Sequence, residues 1–344
     1  MKIAVVGGGI FGCVSAIKLS QSHQVTLFER NSGILHEASG INQYRLHRGY
    51  HYPRSPETAI QSRDSYTTFW QEYRDCCIVK NNHSYCISST ASKINSEYYL
   101  SFLNELGLYC ESDVDNNVQN VDLCIKYCDE TLIDIATLKM KLVNQLRVSG
   151  VEVRANAPFT KSQIDDFDLV VNCTYSNLNS LLDECEQINY QFELCEKPII
   201  RLGERYKNKS YVILDGDFCC IDPLEYRDEH VMGHVKHAIH HTNVGKFPEI
   251  PTQFNDVLNV GLVKNPPITN IERFIQSGKE FFVDFDPIHV GSMFTIRTVL
   301  PNKHETDERP TYITKHNDKL YSIFSGKIAT CVDIASELIK TINL

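Results

Sequence analysis

The chain lacks any apolar run approaching the roughly 20 residues that a membrane-spanning helix requires, so no membrane partner is expected. It lacks a basic surplus as well. Its 34 Lys and Arg face 43 Asp and Glu, a net charge of −9, and nucleic-acid phosphates would be repelled. No C-x-x-C occurs among the 13 cysteines. They are scattered and odd in number, and Cys76–Cys77 and Cys219–Cys220 are adjacent, which suits reduced, small apolar residues better than a disulfide framework or a zinc site. No H-E-x-x-H is present either. The histidines of the His230–His241 stretch (His230, His234, His237, His240 and His241) do not recur at the even spacing that one face of a strand demands. No metal is expected. The opening apolar run is too short for a secretion signal and leads straight into a glycine turn, so a cytoplasmic location is expected.

What is present begins at Lys2. The stretch KIAVVGGGIFGCVSAIKLSQSHQVTLFER, residues 2–30, reads as strand, glycine turn, helix, strand and terminal acid. Gly7, Gly9 and Gly12 stand in G-x-G-x-x-G register. The first permits the tight turn, the second lets backbone N–H groups approach a diphosphate, and the third lets the helix pack on the strand. The helix N-terminus offers unpaired N–H donors and the positive end of its dipole. Glu29 lies where an acid would meet a ribose 2′-hydroxyl. This order predicts a dinucleotide site, with FAD and NAD both open at this point.

With 344 residues, 42% hydrophobic and 22% charged, the chain suits a globular protein of two domains. Helical spacing is expected over Pro56–Tyr73, with Ile60, Phe69, Trp70 and Tyr73 on one face, and over Tyr98–Gly107 and Ile135–Leu146. Cys77–Ser88 alternates weakly and predicts a strand; Val151–Arg154 and Asp168–Val171 predict two more. The DLVVNCT run reads as the last parallel strand of the nucleotide domain. From Tyr190 to Asn259 the texture is β-rich. A helix is expected over Ile268–Phe281, a strand over Leu320–Phe324, and a closing helix over Ile328–Ile342. The fold class expected is α/β: a discontinuous Rossmann-like domain from residues 1–75, 129–185 and 290–344, with a β-rich α+β substrate domain from 76–128 and 186–289.

Four separated segments resemble the D-amino-acid-oxidase-like superfamily of FAD-dependent oxidoreductases. They are VVGGGIFG…LFER, the loop SGINQYRLHRGYHYPRS (Ser39–Ser55), the DLVVNCT strand, and Phe324-Ser325-Gly326-Lys327-Ile328 before the last helix. No second G-x-G-x-x-G exists for a separate nicotinamide nucleotide. The resemblance implies FAD as cofactor, held by Gly7, Gly9, Ile10, Phe11, Gly12, Glu29 and Arg30 at the turn. It adds Ser39, Asn42, Arg45, Leu46 and His47 from the loop, Cys173 and Thr174 after the strand, and Ser325, Gly326, Lys327 and Ile328 near the end. The chain departs from better-known members in reducing the C-terminal glycine-rich turn to Ser325-Gly326, and in carrying Tyr44 and Arg45 where small residues are common.

The resemblance further implies oxidation of a C–N or C–O bond in a small polar metabolite, an amino acid, amine or 2-hydroxy acid, with hydride transfer to flavin N5. Two side chains are expected to act. His47 would accept a proton or bond the ring, with a packed or covalently attached histidine as alternatives. Arg297 would anchor a carboxylate through its fork of N–H donors, with an ion pair to Glu305, Asp307 or Glu308 as the alternative. Arg309 reads as a solvated-face residue. Tyr50, His51 and Tyr52 would line a pocket or simply pack. Two other functions stay open: a flavin-dependent sugar mutase of the UDP-galactopyranose-mutase kind, and a flavin-binding subunit without catalysis. Oligomeric state is not legible.

Overall fold

Four short runs of β-branched and aliphatic residues, Lys2–Val6, Gln24–Phe28, Leu169–Asn172 and Leu320–Phe324, lie parallel in one six-stranded sheet. Their near-continuous burial is what a sheet covered on both faces demands. Glu152–Arg154 adds a parallel edge, and Tyr312–Lys315 closes the other edge antiparallel. The computed structural model describes residues 1–342 apart from 79–81, 113, 225–227 and 304; three positions of the expected Cys77–Ser88 strand therefore lie outside the described residues, and Cys77–Ile78 and His83–Ser88 flank them as strands.

Alternation assigns the two faces of this sheet. Ile3, Val5, Val25, Leu27 and Val171 meet the helices Ile10–Leu19, Pro56–Tyr73, Ile135–Val148 and Cys331–Ile342, while Ala4, Val6, Phe28 and Val170 meet Phe167, Leu181 and Leu182. Pro56 opens its helix where its missing N–H is no loss, and Asp134 caps the next by accepting from the N–H groups of Ala136 and Thr137. Ala59, Ser62, Tyr66, Phe69 and Tyr73 are the buried stripe of the Pro56–Tyr73 helix, at alternating spacings of three and four. Ile60 is rotated off that stripe by one residue and is 41% exposed, contrary to expectation.

A nine-stranded, mostly antiparallel sheet holds the β-rich half. Its central strand, Tyr190–Arg201, pairs with Ile239–Gly245, Glu229–His234 and Ile288–Val299. Two sequence expectations need correction here. Leu169–Asn172 is not the last parallel strand: it lies between Lys2–Val6 and Leu320–Phe324, because the terminal apolar run pairs outside it. The chain also does not rejoin the nucleotide half at residue 290. Ile288–Val299 is long enough to pair with nearly all of Tyr190–Arg201, and the return to the first sheet begins at Tyr312. The histidine stretch proves to be two strands joined by a turn. His230, His234 and His240 bond separately to the Tyr206 carbonyl, the Ser277 hydroxyl and the Glu196 carboxylate.

Candidate active site

The carboxyl ends of three parallel strands converge on one crevice. Chain order runs one way from Lys2–Val6 to Gln24–Phe28 and the other way to Leu169–Asn172, the topological reversal at which open α/β sheets bind ligands. Gly7 adopts φ +104° there, and a Cβ on it would lie 2.7 Å from the Cys173 carbonyl oxygen. A Cβ on Gly12 would lie 1.9 Å from the Gly7 carbonyl oxygen, so helix and turn touch only because that side chain is absent. Gly9 is different: its Cβ would meet only the Ser39 hydroxyl at 3.1 Å. Among the described residues no protein acceptor takes the N–H groups of Gly9, Phe11 or Gly12, while Ile10 N–H donates to Ser39 Oγ at 3.0 Å. An open cradle of orphan donors at a helix N-terminus fits a dinucleotide diphosphate.

Glu29 is 7% exposed. It accepts from the N–H of Gly8 at 2.7 Å and from Asn31 N–H and Nδ2 at 2.7 and 2.8 Å. A carboxylate has about four acceptor positions, so one is left for a ribose hydroxyl. Arg30 turns outward and forks onto Glu37, with both N–H donors at 2.8 Å. Cys173 and Thr174 follow the Leu169–Asn172 strand beside Gly7. Gly326 packs against the loop before it: a Cβ there would lie 1.9 Å from the Arg309 carbonyl oxygen, and its N–H donates to Thr311 Oγ1 at 2.9 Å. Ser325, Lys327 and Ile328 flank it at the same carboxyl edge.

The Ser39–Ser55 loop lies between the two sheets. Asn42 braces it, donating to the carbonyls of Ala38 and Ser39 and accepting from Tyr44 N–H. Leu46 is fully buried in the main core, so only its backbone can face a ligand. The expected cofactor contact by the Arg45 side chain is not met. Its guanidinium, with 1% side-chain exposure, is held by Asp222, Ser210 and Glu130, because the polar wall of the large sheet encloses it. Tyr50 simply packs, stacked on Tyr85.

His47, His51 and Tyr52 form a cluster, with ring centroids 4.9 Å (His47–His51), 5.4 Å (His47–Tyr52) and 5.1 Å (His51–Tyr52) apart. The Nδ1 atoms of both histidines and the Tyr52 hydroxyl are buried without a hydrogen-bond partner. Burial, with Lys327 the foremost neighbouring charge, holds both imidazoles well below their ordinary titration range, so they are neutral bases. The Lys327 ammonium lies 4.2 Å from the Tyr52 ring centroid. No carboxylate pairs with it among the described residues, and burial pushes its pKa down to about 7. Arg297, by contrast, is not the free cation expected. Its Nε–H is bonded to Glu193, the residue directly opposite in strand register rather than any of the three acids near Arg309. Its guanidinium is about one-third exposed. Arg309 pairs with Asp307.

Sequence reasoning missed Glu130, 3.8 Å from His47 Nδ1, Lys197, whose charge acts on His51, and Asp222 and Glu193, which pair with Arg45 and Arg297. Alternation along ELCEK could have placed Glu193, Cys195 and Lys197 on one face of their strand. Nothing local announces Glu130 or Asp222.

A family profile described as FAD dependent oxidoreductase matches residues 2–191. The chain is 24% identical over 341 residues to the FAD-dependent monooxygenase FPY4 of Fusarium mangiferae, covering 96% of this chain and 88% of that protein. It is 26% identical over 379 residues to the FAD-dependent monooxygenase kojA of Aspergillus flavus, covering 100% of this chain and 86% of that one. Its fold superposes on glycine oxidase from Geobacillus kaustophilus with a TM-score of 0.71 at 12% identity, over 99% of this chain and 94% of that chain; at that identity the likeness speaks for the fold alone. No helix among the described residues is long and apolar enough to cross a membrane.

Proposed function

Because the chain belongs to the family of FAD-dependent oxidoreductases, we propose that it oxidises the C–N or C–O bond of a small 2-amino or 2-hydroxy acid. The observation that carries this reading is Lys327, a half-buried ammonium with no carboxylate partner among the described residues, set beside two neutral imidazoles. A charge drawn partly out of water calls for a counter-charge, and a substrate carboxylate supplies one.

When bound, FAD supplies the two-electron sink, a hydride equivalent from the substrate carbon ending on flavin N5. The chain supplies the rest. Lys327 holds the carboxylate and so fixes which carbon faces the ring. His47, neutral, with Nδ1 free of hydrogen bonds and 3.8 Å from the Glu130 carboxylate, accepts the proton leaving the substrate hydroxyl or ammonium as the C=O or C=N bond forms. His51 and Tyr52 complete a wall that keeps water from the reacting carbon. Arg297 serves here as a partner of Glu193 that shapes the cleft, its charge already matched.

Anaerobic addition of amino acids, hydroxy acids, amines and amino sugars to the yellow holoprotein tests the reading. Bleaching by a 2-amino or 2-hydroxy acid supports it; bleaching by uncharged amines alone overturns it. The names of the two relatives support a second reading, oxygen insertion. It predicts that the flavin bleaches with a reduced nicotinamide and not with substrate alone.

A further inference from the structure

The strand Tyr190–Arg201 is buried at every position from Tyr190 to Ile200 except Lys197, which is half-buried. That exception lies on a definite face. Glu193, Cys195, Lys197 and Ile199 alternate to one side, and Glu193 bonds to Arg297 there. Ile199 packs with Ile41 and Tyr44 of the Ser39–Ser55 loop and with Met293. Lys197 therefore enters the layer between the large sheet and the Ser39–Ser55 loop, where it reaches Gln43 and its charge acts on His51.

The Lys197 ammonium forms no ion pair among the described residues. Among the described residues its one hydrogen-bond acceptor is the Gln43 amide oxygen at 3.5 Å. Gln43 is oriented for that contact, because its Nε2 donates to Asp222 at 2.9 Å and to the Val231 carbonyl at 3.0 Å. The absence of a side chain at Gly233 makes room, since a Cβ there would lie 2.7 Å from Gln43 Oε1. Asp222 is already engaged, accepting from Arg45 and Ser210 at one oxygen and from Gln43 at the other. A neutral amide thus stands between the ammonium and Asp222. An ammonium has three donors, and two are left uncommitted.

We infer that the substrate carries a second acidic group, a carboxylate or phosphate remote from the reacting carbon, and that Lys197 binds it. The inference rests on the proposed oxidation of an anionic metabolite, with Lys327 on the first acidic group. The charges of Lys327, Arg45, Arg309 and Lys197 all act on His51. Arg45 and Arg309 have carboxylate partners, so the two lysines are the cations that a doubly acidic ligand would bridge.

Ligands that cannot be oxidised separate the two claims. Propionate, succinate and phosphonoacetate are titrated into the holoprotein, and the shift of the flavin absorbance bands gives each affinity. Succinate or phosphonoacetate is expected to bind at least about tenfold more tightly than propionate, the gain of one charge-assisted contact. In K197Q that preference should fall to about twofold or less, and in K197R, which keeps the charge, it should persist. Equal binding of all three ligands by the wild-type protein overturns the inference and leaves the proposed oxidation standing. A preference that survives K197Q also overturns it, by assigning the second acid to another group. Failure of every ligand to perturb the flavin overturns both. If K197Q loses its flavin, the wild-type preference and its persistence in K197R decide.

Discussion

The crevice at the glycine turn and the recess between the sheets are built from different material. The turn works through backbone: orphan N–H groups, a left-handed φ and contacts that exist because side chains are absent. The recess carries side chains from four distant segments: Lys327, His47, Arg297, and Lys197 with Glu193 on one strand. A backbone site fails where an added atom would meet the main chain, as at Gly7 and Gly12, and responds little to side-chain charge. A side-chain site tolerates isosteric change but responds steeply to charge. Substitutions should therefore fail differently in the two places.

The largest effect is expected at Gly12. In G12V the new side chain starts from a Cβ position 1.9 Å from the Gly7 carbonyl oxygen. The helix can accept it only by leaving the strand, at a cost above the roughly 1–3 kcal/mol of ordinary overpacking. The protein should purify colourless or not fold, as judged by flavin absorbance and thermal unfolding. G33V is the matched control, because a Cβ at Gly33 meets nothing within 4 Å. A fully yellow G12V with an unchanged melting temperature would contradict the close packing of helix on turn.

At Lys327 the damage should be electrostatic. K327M keeps the length of the side chain, so flavin should be retained. Affinity for a carboxylate ligand should drop about a hundredfold, the loss of a charge-assisted hydrogen bond worth about 3 kcal/mol. The pH dependence has a definite sign. With a pKa of about 7, Lys327 is charged below neutrality and loses its proton above it. Carboxylate affinity should therefore be flat at lower pH and fall by up to about tenfold per pH unit above 7. K327M should abolish that slope. A slope of the same steepness in the variant would assign the titration to another group.

The two regions were also unequally legible. Gly7, Gly9 and Gly12 could be read in order because each needs a residue type for a local backbone reason. Elements such as Pro56–Tyr73 and Leu320–Phe324 emerged at the expected bounds for similar reasons. Ionic partners did not, since they follow from long-range register. Arg297 is matched by Glu193, 104 residues away, through the pairing of two long strands. Arg45 is taken by Asp222 across 177 residues. The stretch containing Lys327 was identified, but its lack of a carboxylate depends on where every acid in the chain lands. Lys197 sat in a readable alternation whose facing loop no local pattern could name.

The smallest effect, at Arg30, tests whether the turn owes anything to charge. Arg30 was grouped with the cofactor residues, yet its side chain is 51% exposed and forks onto Glu37. Exposed pairs of this kind contribute about 0.2–1 kcal/mol, so R30A should leave thermal stability nearly unchanged. If the backbone N–H groups and Glu29 hold the dinucleotide, FAD affinity in R30A should stay within about threefold of the wild-type value, by the same energy scale. Reconstitution of the apoprotein with FAD, followed by flavin fluorescence, measures this directly. A loss of tenfold or more would show that Arg30 leaves Glu37 to contact the cofactor, and the division between a backbone-made crevice and a charge-made recess would have to be redrawn at the adenosine end.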